Sequence, residues 1–182
     1  IMCPWIRLQK AIMLVGGGGN GKSTFANLVA DFIGEENICT DSLQDLTANR
    51  FRSANLLGKL LNVNPDIPSR RLESTSTFKA ITGGDTITAE RKNGHPFQFR
   101  PVAKLMYAAN QIPYSADISE AYFARWITIH FDRSIRGTNQ EVPEAEMRRR
   151  LSNPLEQSGL LFLAIRAAKR LEKTGKFDLP QS

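Results

Sequence analysis

The residues Gly16-Gly17-Gly18-Gly19-Asn20-Gly21-Lys22-Ser23, followed by Thr24, carry the most specific chemistry in the sequence. Glycine, four residues, then Gly-Lys-Ser is the spacing of a phosphate cradle. Glycines let successive backbone N–H groups turn inward around phosphate oxygens, and a helix starting there adds the positive end of its dipole. In such a cradle the Lys22 ammonium reaches the β- and γ-phosphates, and the Ser23 hydroxyl ligates Mg²⁺. Gly16, Gly17, Gly18, Gly19, Asn20, Gly21, Lys22, Ser23 and Thr24 are therefore the candidate ATP-binding residues, with ATP and Mg²⁺ as the expected ligands.

The flanks suit that chemistry. Ala11-Ile12-Met13-Leu14-Val15 is an unbroken apolar run, as expected of a strand covered on both faces in a parallel sheet. Residues 23–33 predict a helix with apolar positions at Phe25, Leu28, Val29, Phe32 and Ile33, ended by Gly34. Strand, glycine-rich turn and helix open an α/β domain.

Further strands are predicted at residues 56–63, interrupted by Gly58 and Lys59, at 102–109 and at 126–131. Residues 74–81 predict a short helix stopped by Gly83-Gly84. Asn93-Gly94, flanked by Ile87-Thr88 and Phe97-Gln98-Phe99, predicts a β-hairpin over 86–101 with residues 92–95 at its tip. A type I′ turn is expected there, because both Asn and Gly tolerate positive φ. The C-terminal third reads as helical. Asn153-Pro154-Leu155-Glu156 supplies a cap and a proline at the first helical position, and residues 155–171 follow with an apolar face through Phe162, Ile165 and Ala168. The opposite face, with Arg166, Lys169, Arg170 and Lys173, reads as solvated surface.

A hydrolysing phosphate cradle needs a carboxylate near the metal, at the end of a neighbouring strand. Asp66, after the run Leu60-Leu61-Asn62-Val63-Asn64-Pro65, stands in such a place; taken alone, beside Pro65 and Pro68, it reads as a turn residue. Asn110 ends the strand 102–109, where its amide could polarise an attacking water; alone it too reads as a turn residue. Arg125 precedes the strand at Trp126 and could reach a γ-phosphate across a subunit boundary; taken alone, it reads as a surface ion-pair residue. Likewise Arg91, Lys92 and His95 suit either a solvated hairpin tip or a grip on polyanions.

The order of these features resembles the superfamily 3 helicases, and more narrowly the helicase part of phage and plasmid primase–helicases, with a likeness to poxvirus-type replication ATPases. Phe78-Lys79-Ala80-Ile81-Thr82-Gly83-Gly84-Asp85-Thr86-Ile87-Thr88-Ala89-Glu90-Arg91-Lys92 is the most family-specific passage. The resemblance runs from Ala11 to Phe131; the C-terminal helices match loosely. It implies an α/β, AAA+-like P-loop NTPase: a mainly parallel sheet flanked by helices, a β-hairpin inserted before sensor 1, and a helical C-terminal segment. It makes residues 16–23 the Walker A motif, Asp66 the Walker B acid and metal-site carboxylate beside Ser23, 79–92 the B-prime motif, Asn110 sensor 1 and Arg125 the arginine finger. Lys22, Asp66, Asn110 and Arg125 are thus the expected catalytic set, and Arg91, Lys92 and His95 the expected DNA-binding set. The implied activity is ATP-driven movement on single-stranded DNA in phage, plasmid or viral replication, by a homo-oligomer built as a hexameric ring, with a primase domain elsewhere in the full-length chain.

The sequence departs from the pattern twice. Pro65-Asp66-Ile67 stands where many relatives have two adjacent carboxylates, so the general base is open between Asp66 acting through a water, Glu73 and Asp85. Ala124 stands where relatives often carry a first arginine, leaving Arg125 as the finger and Arg133 as a weaker candidate.

The bulk properties fit without deciding. The chain has 182 residues, 41% hydrophobic and 23% charged, a globular composition that excludes fibrous and disordered classes. Twenty-four Lys and Arg against 18 Asp and Glu give a net charge of +6, which suits a polyanionic partner and equally an ordinary basic protein. Cys3 and Cys39 lack metal-ligand spacing and read as buried small hydrophobes in a reducing cytoplasm of a bacterial or host cell. There is no membrane-length apolar run. The start, Ile1-Met2-Cys3-Pro4-Trp5, resembles neither a signal peptide nor an initiator region, so a fragment of a larger replication protein is expected. Residues 1–135 would form the ATPase core and 136–182 a helical segment of the same domain. Two rival classes remain: a small-molecule P-loop kinase, and a nucleotide-dependent DNA-binding or assembly ATPase that does not unwind.

Overall fold

The computed structural model describes residues 8–177, so Cys3 lies outside the described residues. In chain order the elements are β1 (Ala11–Val15), α1 (Lys22–Ile33), β2 (Ile38–Cys39), α2 (Leu43–Ala48), α3 (Arg50–Ser53), β3 (Leu61–Asn64), α4 (Ser76–Gly83), β4 (Ile87–Ala89), β5 (Phe97–Phe99), β6 (Lys104–Ala109), α5 (Glu120–Phe123), β7 (Trp126–His130), α6 (Glu144–Leu151) and α7 (Pro154–Thr174).

Five strands form one sheet in the order β2-β3-β6-β1-β7, and every pairing in it is parallel. The run Ala11–Val15 is apolar throughout because both of its faces are covered. Ala11, Met13 and Val15 join Leu105, Tyr107 and Ala109 on one face, under Leu43 and Leu46 of α2 and Phe78 and Ile81 of α4. Leu14 joins Leu61, Val63, Met106 and Ala108 on the other face, under Ala26 of α1 with Val29 and Ile33 packed alongside. The period-two alternation thus serves two cores at once.

The aromatic centre of the first core is Phe78. Its ring stacks on Trp126 with centroids 4.6 Å apart and meets Tyr122 edge-on at 5.6 Å. On the same face Asn62, fully buried in β3, stitches the sheet edge: it accepts from the Asp41 N–H at 2.9 Å and donates to the Asp41 carbonyl at 2.9 Å and Tyr107 Oη at 3.2 Å. Cys39 Sγ also donates to the Asn62 side chain, at 3.3 Å. Burial, with a further push from Asp41, raises this thiol to about 12, which disfavours a reactive thiolate, although Cys39 is half-buried and not buried as expected.

Three expectations need correction. The strand expected over 56–63 is only Leu61–Asn64, because residues 54–56 form a 3₁₀ turn and Gly58 takes φ +74°, folding the chain before the strand begins. The hairpin is present, with β4 and β5 antiparallel, but its turn is not type I′. Asn93 takes φ +63° while Gly94 does not enter the left-handed region, and the Gly94 N–H donates to the Arg91 carbonyl at 2.8 Å. Seven residues separate the two strands, so the tight two-residue geometry is not imposed, and Asn93 alone carries the positive φ at the third turn position. Finally, α7 is capped as expected, with the Asn153 side chain accepting from the Leu155 N–H and Gly175 left-handed at its end. Its apolar face is nevertheless open: Phe162 is 60% and Ile165 43% exposed, Ala168 is exposed, and no residue of α7 is buried. No helix among the described residues is long and apolar enough to cross a membrane.

Candidate functional site

The parallel sheet brings the C-terminal ends of its strands to one edge, and the candidate residues follow from there. The glycine-rich loop leaves β1 at Gly16 and enters α1 at Lys22. Gly19 takes φ +72° and Gly21 φ +89°, backbone that only glycine adopts cheaply. Gly17 and Gly18 face open space, where a Cβ would meet nothing within 4 Å. Gly16 is required for packing: a Cβ there would lie 2.3 Å from the Phe131 carbonyl oxygen and 2.5 Å from Asn20 Nδ2.

Lys22 is 7% exposed and turned into this loop. Its ammonium donates to the Gly16 carbonyl at 2.7 Å, the Gly17 carbonyl at 2.6 Å and Asn20 Oδ1 at 3.0 Å. An ammonium has three donors, so the glycine-rich loop itself satisfies the lysine. Asn20 is the bridge: 6% exposed, it donates in turn to the Phe131 carbonyl, just past β7, at 2.6 Å. Ser23 and Thr24 are exposed on the first turn of α1.

Neighbouring strands set the next two residues beside the loop. Val15 pairs with Ala109 in register and the Gly16 N–H donates to the Ala109 carbonyl at 3.3 Å, so Asn110 follows directly beside Gly16. One strand further out, Asp66 follows β3, its N–H on the Asn64 side chain at 3.2 Å, while the Ile67 N–H donates to the Ala108 carbonyl at 2.9 Å. Both side chains are exposed on the edge that carries Lys22. No cluster of three or more His, Cys, Asp or Glu that could hold a metal occurs among the described residues. Ser23 and Asp66 are oxygen donors, the kind Mg²⁺ takes alongside waters and substrate phosphate oxygens.

Arg125 is elsewhere. Its carbonyl accepts from the Ala11 N–H at 2.7 Å, where β1 begins, and Trp126 pairs with Ala11. Its guanidinium donates to Thr82 Oγ1 at 3.1 Å, to Gln9 Oε1 at 3.3 Å and to the Ala121 carbonyl. Asp85, one candidate base, follows the α4 end that carries Thr82 and so shares Arg125's edge; Glu73 is exposed beside the Leu72–Ser115 bridge. Arg133 is exposed after β7.

The hairpin is seated at its base and exposed at its tip. Ile87 and Ala89 are buried, and Glu90 pairs with Arg50 of α3 at 2.8 Å. Arg91, Lys92 and His95 are exposed. Arg91 and Lys92, with Arg52 and Lys59, line an open cleft of about 810 Å³ beside Cys39, Thr40 and Asp41. Asp41 is the one carboxylate lining it, and it is engaged by Asn55 at 2.9 Å and by Arg52 at 3.4 Å. His95 does not line this cleft. Sequence reading missed Arg52 and Lys59, which belong to no motif, and missed the bridging role of Asn20.

The family model for DUF5906, a family of unknown function, matches residues 14–125, more than half of the chain. The chain belongs to the DUF5906 family. The matched stretch of this DUF5906 chain runs from β1 through the glycine-rich loop, Asp66, the hairpin and Asn110 to Arg125. Among solved structures, the A-form apo structure of the NrS-1 C-terminal region superposes with a TM-score of 0.65 at 18% identity, over 83% of this chain and 35% of that one. A second apo structure of the same region gives 0.62 at 17% identity, over 83% and 36%. The DUF5906 chain therefore spans about a third of the length of those solved chains, and the likeness is one of fold: a parallel sheet flanked by helices.

Proposed function

We propose that this DUF5906 chain is the motor part of a replication helicase of the superfamily 3 type, an AAA+-like P-loop ATPase that moves along single-stranded DNA as a hexameric ring. The observation that carries the reading is the strand order β2-β3-β6-β1-β7. It supports the reading because three segments then lie in line on one edge: the glycine-rich loop after β1, Asn110 after the adjacent β6, and Asp66 after β3 beyond it.

ATP is the substrate. Gly17, Gly18 and the following backbone N–H groups receive its phosphates, and Lys22 exchanges its carbonyl partners for phosphate oxygens. Ser23 and Asp66 would hold Mg²⁺, which would supply charge neutralisation at the phosphates. Asn110 orients the attacking water from the neighbouring strand. Asp66, on the same edge as Lys22, is the better-placed general base; Asp85 shares the edge of Arg125.

Arg125 completes the site of an adjacent copy. Lys92, with Arg91 and His95 on the same exposed hairpin tip, grips the sugar-phosphate backbone, since cations on a projecting ribbon hold phosphates without reading sequence. A primase domain in the full-length chain belongs to the same reading, as do a bacterial or host cytoplasm and an ATPase core followed by a helical segment from about residue 136. The experiment is strand displacement on a tailed duplex with ATP, by the full-length protein that contains this chain: unwinding by wild type and none by Lys22→Ala supports the reading, while ATP turnover without any displacement returns it to a non-unwinding assembly ATPase.

A further inference from the structure

We propose that Arg136 binds the β- and γ-phosphates at the nucleotide site, a guanidinium supplied by the same subunit from the segment that follows β7. The inference rests on the reading of residues 16–23 as the ATP cradle and adds to it a residue outside every motif of the sequence.

The segment after β7 doubles back onto the glycine-rich loop and is fastened to it at two points. The Phe131 carbonyl accepts from Asn20 Nδ2 at 2.6 Å. Beyond it, the backbone N–H groups of Ile135 and Arg136 both donate to the Gly19 carbonyl, at 2.8 and 3.0 Å. Two donors on one carbonyl fix the direction in which the Arg136 side chain leaves the backbone, and it leaves across the loop. A Cβ on Gly19 would stand 2.5 Å from Arg136 Cβ and 3.5 Å from its Nε. Gly19 is thus excluded from carrying a side chain twice over, by its φ of +72° and by the arginine lying on it.

The charge of Arg136 is uncommitted. Among the described residues its guanidinium makes no hydrogen bond or ion pair, and the nearby Glu141 carboxylate accepts instead from the Gly137 N–H at 2.7 Å. Lys22, by contrast, spends its donors on Gly16, Gly17 and Asn20. Two cations held at one loop repel each other unless an anion lies between them, and a planar guanidinium with five donors matches phosphate oxygens. Arg125, fixed at the opposite edge of the sheet, cannot serve the loop of its own chain. Arg136 is the arginine the fold places there.

The test is equilibrium binding of fluorescent ATP, ADP and AMP analogues to the full chain, with Lys22→Ala, Arg136→Ala and Arg136→Lys. Arg136 is exposed and its loop contacts are made by backbone, so Arg136→Ala keeps the fold, checked by its circular dichroism and melting curve. A charge-assisted contact predicts that Arg136→Ala weakens ATP roughly tenfold or more, weakens ADP less and leaves AMP nearly unchanged, with Arg136→Lys intermediate. ATP affinity equal to wild type in Arg136→Ala overturns the inference, and so does an equal loss for ATP and AMP, which would put the arginine on the base, the ribose or the α-phosphate and not on the phosphates that AMP lacks. If wild type itself fails to bind ATP, or Lys22→Ala binds it as well as wild type, the cradle reading falls and this inference with it.

Discussion

Lys22 and Arg125 lie at opposite edges of the sheet. The Lys22 ammonium sits on the carbonyls of Gly16 and Gly17, past the end of β1, while the Arg125 carbonyl holds the Ala11 N–H at its beginning. The five residues of β1 between them span roughly 16 Å at about 3.3 Å per residue. One chain therefore cannot bring both cations to one triphosphate, and a finger role for Arg125 requires a second copy. Mixing Arg125→Ala with Lys22→Ala should restore part of the ATPase activity that each lacks alone, because the mixed boundary pairs an intact cradle with an intact arginine. Loss of a finger costs about 10³ or more in turnover, so even partial recovery is measurable. No recovery at any ratio removes Arg125 from the site.

Asn20 joins the glycine-rich loop to β7 through one buried amide. Asn20→Ala leaves the Phe131 carbonyl and one Lys22 donor without their partner, which costs about 1–3 kcal/mol. Urea unfolding should show a lower midpoint, and ATP binding should weaken because Lys22 loses a positioning contact. An unchanged midpoint would mean that the bridge contributes nothing to the loop.

Phe78 anchors the core beneath the passage most typical of the resemblance. Fully buried and stacked on Trp126, it should cost about 3–5 kcal/mol when replaced by alanine. Thermal unfolding of Phe78→Ala measures this, and a loss below about 1 kcal/mol would contradict the packing described.

Asp117 gives the fold an acid-sensitive tie. It pairs with Lys79 Nζ at 2.8 Å, accepts from Thr75, and receives the Ser119 N–H at 2.9 Å. Lys79 first, then Ser119 and Thr75, hold its carboxyl well below the ordinary carboxylate range. A depressed folded value stabilises above the unfolded value, about 3.9, and that contribution is lost as pH falls through the folded one. Stability should therefore decline on acidification below about pH 4, less steeply in Asp117→Asn; identical acid profiles would rule the tie out.

Much of this was legible in local sequence. An apolar run, a glycine-rich turn and an amphipathic stretch specify β1, the loop and α1 within some twenty residues, and Asn153-Pro154 with Gly175 marks both ends of α7. What escaped is what depends on distant partners. Asn20 meets a carbonyl 111 positions away, and the Ile135 and Arg136 N–H groups fold back onto Gly19, with no periodicity to announce either. Arg125 has the same residue type whether it faces a neighbour or Thr82. The apolar face of α7 predicted burial because amphipathicity records that a face is to be covered, not by what.

The most direct measurement of the central claim is steady-state ATP hydrolysis with and without single-stranded DNA, in wild type, Lys22→Ala and Lys92→Ala. Lys22→Ala should abolish turnover; Lys92→Ala should keep the basal rate and lose the stimulation by DNA, because the exposed hairpin tip has no part in the nucleotide site. DNA stimulation as large in Lys92→Ala as in wild type would contradict the account.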